Sequence, residues 1–192
     1  MSEKIEIMGI SVEKCYAEDI MESINQHWNE DTLATYGVIT MKLLIAAQKD
    51  EELKEYIETL DKAVADEPEI VKAAGLQDEA WESEISEHGF FGTLFWLLNL
   101  YKNRIFILGE KEEDTEKFCN YLKEQYPDIV ILGKDSLTDM EADQTDRVIN
   151  EINSWNPQAV LSCSREYNVE RFVKRYRKMM NTKVWFLSLI HI

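Results

Sequence analysis

The stretch "NRIFILGEKEEDTEKFCNYLKEQYPDIVILG", residues 103–133, is organised as a strand, a turn, a helix and a second strand. Two strands joined by a helix of this length predict a parallel pair with a right-handed crossover. Gly109 closes the first strand at the position where many such units bind a nucleotide phosphate. The next residue is Glu110, and three further acids follow by Asp114. The stretch therefore predicts a βαβ unit and raises the question of whether its turn accepts phosphate.

Strand-like and helical segments alternate on both sides of this unit, which is the pattern of a parallel sheet with crossover helices. The segment "FFGTLFWLLNLYKN" (90–103) predicts a buried helix, and "LQDEAWESEISEHG" (76–89) has no clear assignment. We predict the fold class α/β: a single doubly wound, Rossmann-like domain with a mainly parallel sheet, covering residues 1–187. Three tryptophans are expected in its core: Trp96, Trp155 and Trp185.

The composition excludes several classes of protein. Of the 192 residues, 45% are hydrophobic, which argues against a disordered chain, and the net charge is −16. That charge argues against nucleic acid or an anionic membrane as the main partner. The three histidines are far apart and have no metal-ligand spacing, so no metal site is expected. We expect a soluble, cytoplasmic protein because the chain has no signal peptide and no run of about twenty apolar residues.

The cysteines are odd in number, widely spaced and free of any CxxC motif. This usage is typical of a reduced, cytosolic protein in which a cysteine is a small core hydrophobe. Cys163 ends a predicted strand and is also weighed as a nucleophile, but no histidine is near it in sequence. A core role is the better prediction for Cys163.

In doubly wound folds, ligands bind outside the carboxyl ends of the strands. The candidate functional residues are therefore those that follow each predicted strand. They are Thr40, Asp66, Gly109 with Glu110, residues 133–135, and the segment "SCSREYN" (162–168).

Two readings of the turn after Gly109 remain open. The start of the following helix attracts anions and could cradle a phosphate. The acids from Glu110 to Asp114 can instead satisfy that positive end and would repel a diphosphate. The second reading is favoured, so the unit keeps the architecture of a phosphate site while its turn disfavours phosphate.

A basic run near the C-terminus also has two readings. Its cations could contact a diphosphate or a membrane headgroup, or they could form a solvated helix face with Phe172, Val173 and Tyr176 packed inward. The solvated face is preferred. The run comprises Arg171, Lys174, Arg175, Arg177 and Lys178.

The order and spacing of four segments resemble the WecG/TagA/CpsF family of bacterial glycosyltransferases over nearly the whole chain. The segments are "IMGISVEKCYAEDIMESI", "VITMKLLIAAQKDEELKEYIETLDKAVAD", "RIFILGEKEEDTEKFCNYLKEQYPDIVILGKDS" and "VINEINSWNPQAVLSCSREYNVERFVKRYRKMMNTKVWFLSL". The resemblance implies transfer of an N-acetylhexosaminyl unit from a UDP-sugar to a polyprenyl-diphosphate-linked sugar. Such transfer builds teichoic acid and related surface polysaccharides.

Carried over residue by residue, the resemblance assigns the catalytic base to Asp66, which can also be read as a helix N-cap. The family's glycine after that aspartate is Glu67 here. In the family's T-x-N motif, Val38 replaces the threonine and Thr40 replaces the asparagine. The second glycine of a Gly-Gly pair is Glu110. The predicted site is catalytic Asp66 and Thr40, with substrate-binding Gly109, Asp135, Asn168, Glu170 and Arg171.

Two functions follow from these observations. The first is an inverting hexosaminyltransferase with a UDP-sugar as donor substrate, a lipid-linked acceptor and no cofactor or metal. The second is a catalytically inactive family member that acts as a binding or regulatory partner, which the replaced glycines and threonine favour. The resemblance also implies peripheral contact with the inner face of the membrane, through a C-terminal appendage, and is compatible with a homo-oligomer.

The last residues, "LSLIHI", resemble a translated sequencing-adapter tail. We therefore expect residues 188–192 not to be native. The same codons followed by a stop in the resequenced locus would contradict this expectation.

Overall fold

The structure is a computed structural model that describes residues 3–65, 67–87, 89–138 and 144–187. The predicted α/β class is confirmed. The strands of the described residues are β1 (Glu3–Ile7), β2 (Ile10–Lys14), β3 (Ala34–Ile39), β4 (Lys62–Ala65), β5 (Arg104–Gly109), β6 (Val130–Ser136), β7 (Ala159–Cys163) and β8 (Val184–Leu187). The α-helices are α1 (Ala17–His27), α2 (Met41–Ala47), α3 (Glu51–Glu58), α4 (Pro68–Ala73), α5 (Glu79–Ser86), α6 (Gly89–Leu100), α7 (Glu112–Gln125), α8 (Gln144–Trp155) and α9 (Asn168–Tyr176). A short 3-10 helix, Arg177–Met179, follows α9.

The main sheet has the strand order β4-β3-β8-β7-β5-β6, and each neighbouring pair is parallel. Side chains of successive strand residues point to opposite faces. In β5, Phe106 and Leu108 therefore join one hydrophobic core, while Ile105 and Ile107 join a second core on the other face. Helices α1, α6 and α7 cover the second face, and the other helices cover the first. This arrangement is the predicted doubly wound sheet.

Strand β6 is longer than predicted. Gly133 and Asp135 were expected in the loop after it, but both belong to the strand, which continues to Ser136. The pairing with β5 explains the extension, because Leu108 pairs with Asp135 and Gly109 pairs with Ser136. β6 is an edge strand of the sheet, where polar residues are tolerated since one side is open.

An antiparallel hairpin of β1 and β2 precedes the parallel sheet and was not predicted. Its connection is Met8-Gly9, with φ angles of 53° and 75°. Two left-handed residues in a two-residue connection are typical of a hairpin turn that matches the twist of its strands. The alternating apolar residues on either side of Gly9 are the sequence signal for this hairpin. Ile7 and Ile10, which pair across the turn, are buried in the first core.

The acidic segment with no clear assignment contains α5. The Asp78 side chain caps it by accepting a hydrogen bond of 3.0 Å from the Trp81 backbone N–H. The Trp81 ring is buried, and its Nε1 donates to the Cys15 carbonyl at 3.1 Å. Trp81 and Ile85 form the buried side of α5, and Glu84 is partly buried because its carboxylate accepts a hydrogen bond of 2.6 Å from the Ala17 N–H. An acidic composition is thus compatible with an amphipathic helix.

The prediction that three tryptophans are core residues is correct for one. Trp185 is fully buried in β8, whereas Trp96 is 56% exposed and Trp155 is 46% exposed. Trp96 lies on the outer side of α6, opposite Phe90, Leu94 and Leu98. A helix that packs against the rest of the protein on one side leaves its other side in solvent, even when both sides are apolar.

The three cysteines are buried and free, as their predicted core role requires. Burial raises the pKa of Cys15 and of Cys163 to about 12. The thiol is the neutral form, so a raised pKa keeps both side chains protonated well above neutral pH. Cys163 therefore lacks the thiolate that a nucleophile needs.

We predict that native protein at pH 8 is not labelled by iodoacetamide at Cys15 or Cys163. With a pKa of about 12, the thiolate fraction at that pH is only about one in ten thousand. Labelling should become fast in denaturant, where the ordinary thiol pKa returns. Mass spectrometry of labelled peptides checks this, and labelling of Cys163 in the folded protein at the rate of a free thiol would contradict it.

We predict opposite effects of alanine at two glycines. A Cβ on Gly109 would lie 1.8 Å from Thr115 Oγ1 and 3.0 Å from Cys163 Sγ, whereas a Cβ on Gly92 would meet nothing within 4 Å. Gly109→Ala should lower the free energy of unfolding by about 1–3 kcal/mol through overpacking. Gly92→Ala, in the exposed middle of α6, should raise it by about 0.5–1 kcal/mol.

Urea unfolding of both variants tests this pair. Equal stabilities for Gly109→Ala and Gly92→Ala would show that the close approach of β5 to α7 at Gly109 is not a packing constraint.

Candidate functional site

The carboxyl ends of the parallel strands meet at one edge of the sheet, and we call this the carboxyl edge. Thr40 follows β3, Glu67 lies just beyond the end of β4, Glu110 follows β5 and Ser164 follows β7. Helices α2, α4 and α9 begin at the same edge. Their first backbone N–H groups have no partners within the helix and must find acceptors. A polar side chain at this edge either accepts a hydrogen bond from one of those N–H groups or remains available to a ligand.

Thr40 and Glu67 both serve the first turn of α2. The Thr40 hydroxyl accepts a hydrogen bond of 3.1 Å from the Leu43 N–H, and the Glu67 carboxylate accepts one of 2.7 Å from the Met41 N–H. Thr40 is only 7% exposed. The structure therefore gives Thr40, which was predicted to be catalytic, the role of an N-cap.

Glu110 binds the segment that leads into α9, which we call the 164–168 loop. Its Oε2 accepts hydrogen bonds from Ser164 Oγ at 3.2 Å, from the Arg165 N–H at 2.6 Å and from the Glu166 N–H at 2.7 Å. The side-chain amide of Asn168 donates to Oε1. Glu110 is only 5% exposed. A carboxylate from the end of one strand is thus enclosed by donors that follow a neighbouring strand.

This geometry corrects the sequence interpretation of the acids after Gly109. They were expected to satisfy the start of α7, and Glu112, Glu113 and Asp114 do lie in its first turn. The Glu110 carboxylate instead accepts hydrogen bonds from the loop before α9. Asp114 forms an ion pair of 2.7 Å with Arg165, and Glu113 pairs with Lys117. The sequence could not predict the Glu110 contact, because the loop before α9 lies more than fifty residues further along the chain and only the parallel pairing of β5 with β7 brings it close.

Gly109 is a packing residue in this structure. The close contact between its Cα and the Thr115 side chain leaves no room for a Cβ. Its carbonyl accepts a hydrogen bond of 2.9 Å from the Leu137 N–H. The absence of a side chain at Gly109 is therefore explained by the contact of β5 with α7, without any ligand.

Tyr167 is a member of the edge that the sequence interpretation did not single out. It has a φ of 64° and precedes α9. Lys42 Nζ lies 5.7 Å from its ring centroid and donates to the Arg165 carbonyl at 3.1 Å. Burial raises the pKa of Tyr167, and the nearby charge of Glu170 adds to this effect, while a hydrogen bond with the Thr40 side chain opposes it. The phenol is thus protonated and joins the α2 and α9 sides of the edge.

Glu170 was predicted to bind substrate but is fully buried. Its charge contributes to the raised pKa values of Cys163 and Tyr167, which places the carboxylate close to both. A side chain with no exposed surface cannot touch a ligand in this conformation. Glu170 is therefore an interior residue behind the carboxyl edge.

The charged groups of Asp135 and Arg171 form ion pairs with other helices. Asp135 forms an ion pair of 2.7 Å with Arg147 of α8. Arg171 pairs with Asp50 at 2.5 Å and lies 3.6 Å from Glu52, at the start of α3. The hydrogen bond from Arg171 lowers the pKa of Asp50. The edge thus brings Asn168 to Glu110 and Thr40 close to Tyr167. Arg171 also contacts the edge, because it donates to the carbonyls of Glu166 at 3.0 Å and Tyr167 at 3.3 Å.

The basic run of α9 and the 3-10 helix faces the acids of α3 and the following turn. Phe172 and Val173 pack inward as predicted. Neither a purely solvated face nor an anion contact describes the cations, because four of them form ion pairs. These pairs are Arg171 with Asp50, Lys174 with Glu55, Arg175 with Glu52 and Arg177 with Asp61.

Asp66, the predicted base, lies outside the described residues, between Ala65 at the end of β4 and Glu67.

A small cavity of about 20 Å³ is lined by Ala65, Glu84, Phe90 and other residues of α1, α5 and α6. A wider groove of about 580 Å³ lies instead near the amino end of β4, where its lining includes Lys14, Lys62 and Tyr16. Sequence reasoning missed this groove, since it depends on the hairpin packing against α1.

The described part of the chain contains neither a metal-binding cluster nor a membrane-spanning helix. Among residues 3–65, 67–87, 89–138 and 144–187, no group of three or more His, Cys, Asp and Glu side chains could hold a metal ion. No helix within these ranges has the length and apolar character needed to cross a bilayer.

Comparison with known proteins gives a family match over almost the entire chain. Residues 5–188 match the glycosyl transferase WecG/TagA/CpsF family. The chain is also similar to the N-acetylglucosaminyldiphosphoundecaprenol N-acetyl-beta-D-mannosaminyltransferase of Bacillus subtilis (strain 168), with 22% identity over 160 residues. That alignment covers 83% of this chain and 61% of the relative, so the chain spans about three-fifths of the relative's length. Because the family match extends over far more than half of its residues, this chain belongs to the WecG/TagA/CpsF glycosyltransferase family.

Proposed function

We propose that this protein transfers an N-acetylhexosaminyl unit from a UDP-sugar to a lipid-linked acceptor at the carboxyl edge. The observation that carries the proposal is the match of residues 5–188 to a glycosyltransferase family, in a chain whose parallel strands bring Thr40, Glu110, Tyr167 and Asn168 to one edge. The name of the Bacillus subtilis relative supplies the candidate pair. The donor is UDP-N-acetylmannosamine, and the acceptor is N-acetylglucosaminyl-diphosphoundecaprenol.

The proposed reaction is a one-step displacement with inversion. The acceptor hydroxyl oxygen forms a bond to the anomeric carbon of the donor sugar while the bond from that carbon to the UDP oxygen breaks. UDP leaves with the electron pair, and the hydroxyl proton passes to the Asp66 carboxylate as general base. UDP-sugar is a substrate, and the proposal includes no resident cofactor or metal. Catalysis then depends on holding the two substrates in line.

The surroundings of the proposed reaction follow from its acceptor. A polyprenyl diphosphate is held in a membrane, so the protein would act at the cytoplasmic membrane surface as a peripheral protein. We also propose that the protein self-associates, and size-exclusion chromatography with light scattering tests this self-association. Neither property is needed for the chemical step at Asp66.

A second candidate is a non-catalytic family member that binds a partner of the surface-polymer machinery. Two contacts favour it. The Glu110 carboxylate occupies donors of the 164–168 loop, and the Glu67 carboxylate occupies the Met41 N–H of α2. Both glutamates stand where the family resemblance implies glycine. Both accept hydrogen bonds from N–H groups that could otherwise face a ligand. Activity measurements separate the two candidates.

We predict that Asp66→Asn abolishes transfer and changes the unfolding free energy by no more than about 1 kcal/mol, which is at most a typical N-cap contribution, because the N-cap position of α4 is Glu67 and not Asp66. Asp31→Asn is the matched control, because its side chain is fully exposed and lies before β3 at the opposite end of the strands. Release of UDP from UDP-N-acetylmannosamine in the presence of the lipid acceptor measures the rate.

The same assay decides between the candidates. Transfer by the wild type and by Asp31→Asn, with none by Asp66→Asn, supports the enzyme. Wild-type protein that is folded but releases no UDP favours the binding function. Asp66→Asn with full activity would remove Asp66 from the mechanism.

We further predict that UDP-N-acetylhexosamines stabilise the wild-type protein against heat. At a hundredfold excess over the dissociation constant a ligand adds about 2.7 kcal/mol, which corresponds to about 5–10 °C for a domain of this size. A thermal-shift titration with UDP, UDP-N-acetylglucosamine and UDP-N-acetylmannosamine measures the effect. No shift with any of the three would argue against a nucleotide-sugar site.

A further inference from the structure

The contact between Glu110 and the 164–168 loop has the form of a bound ligand. The loop supplies two backbone N–H groups, one hydroxyl and one side-chain amide, and all four donate to a single carboxylate. The carboxylate belongs to another element, the turn between β5 and α7. Hydrogen bonds from N–H groups to an ionised acceptor are short and strong, as the N···O distances of 2.6 and 2.7 Å show.

The chemistry of these donors is not specific for a glutamate. Successive backbone N–H groups that point to one place bind phosphate and carboxylate oxygens alike, because each N–H carries a partial positive charge. Two cations lie beside the loop, and each is paired with an acid: Arg165 with Asp114 at 2.7 Å and Lys111 with Glu166 at 3.5 Å. A phosphate-type anion in place of the Glu110 carboxylate would meet the same donors.

Two backbone hydrogen bonds fix the position of Glu110 next to the 164–168 loop. Its N–H donates to the Cys163 carbonyl at 2.8 Å, which continues the pairing of β5 with β7. Its own carbonyl accepts from Thr138 Oγ1 at 3.0 Å. Because the side chain starts from a fixed backbone, its carboxylate competes with dissolved anions at a high effective concentration.

We propose that Glu110 is a built-in ligand that keeps an anion-binding loop closed, and that its removal opens the loop to phosphate-type anions. The inference rests on the contacts of the 164–168 loop and does not require that the protein transfers a sugar. In the wild type, a small anion cannot displace the carboxylate. A nucleotide sugar could displace it by using binding energy from its uridine and sugar groups.

Anion rescue of Glu110→Ala tests this proposal. The variant leaves the four donors without their acceptor, so its melting temperature should fall by several degrees relative to the wild type. Pyrophosphate, titrated against chloride at constant ionic strength, should raise it by about 5–10 °C at a hundredfold excess over the dissociation constant. Acetate, which resembles the lost side chain, should give a smaller rise, and the wild type should respond to neither anion.

Glu112→Ala is the matched control, since Glu112 is an exposed acid two residues away. It should melt like the wild type and show no rescue. Equal responses of Glu110→Ala and Glu112→Ala to pyrophosphate would mean a general effect of lowered negative charge and would overturn the proposal. So would a folded Glu110→Ala that pyrophosphate does not stabilise.

Glu110→Gln keeps the test decisive if Glu110→Ala does not fold. The amide fills the same space but loses the charge, so the variant should be less stable than the wild type and should gain a weaker response to pyrophosphate. A Glu110→Gln protein with wild-type stability and no response overturns the proposal. A wild type stabilised by UDP-sugars together with an unresponsive Glu110→Ala would refute the closed loop while leaving the proposed transferase intact.

Discussion

The backbone N–H groups at the starts of the helices on the carboxyl edge are the constraint on which the site depends. Parallel pairing brings the start of α2 and the loop before α9 to one side of the sheet, and both present backbone donors that need acceptors. In this chain the acceptors are its own side chains. Thr40 and Glu67 serve α2, and Glu110 serves the loop before α9. Side chains from three neighbouring segments of the chain therefore accept the hydrogen bonds of these N–H groups.

These hydrogen bonds within the chain stabilise the edge and also determine which ligands can bind there. Buried donors that lose their acceptor cost about 1–3 kcal/mol each, so a carboxylate with four donors is a strong restraint on the distance between β5 and the start of α9. The same restraint excludes small anions, because they would have to displace a tethered competitor. A ligand that enters here must bring additional contacts. This requirement connects the packing of the edge to the choice between an active transferase and a binding protein.

The rest of the surface near α9 is organised by charge. The acids of α3 face the cations of α9 across a short distance, and the pairs bridge residues more than a hundred positions apart. Exposed ion pairs of this kind contribute little individually, about 0–1 kcal/mol each. Their main consequence is that four of the five cations in the basic run have an acidic partner within the protein.

The sequence alone determined the fold class, because strand and helix periods alternate in it and buried parallel strands are apolar on both faces. It also predicted the carboxyl edge of the sheet as the place to search for a site. The tertiary structure decided which donors Glu110 serves, that Glu170 is enclosed, and that Arg171 and Asp135 have partners elsewhere. Those facts depend on the strand order β8-β7-β5-β6 and on helix positions. Local sequence patterns cannot predict these contacts, because the partners are separated by tens of residues and meet only when the sheet is assembled.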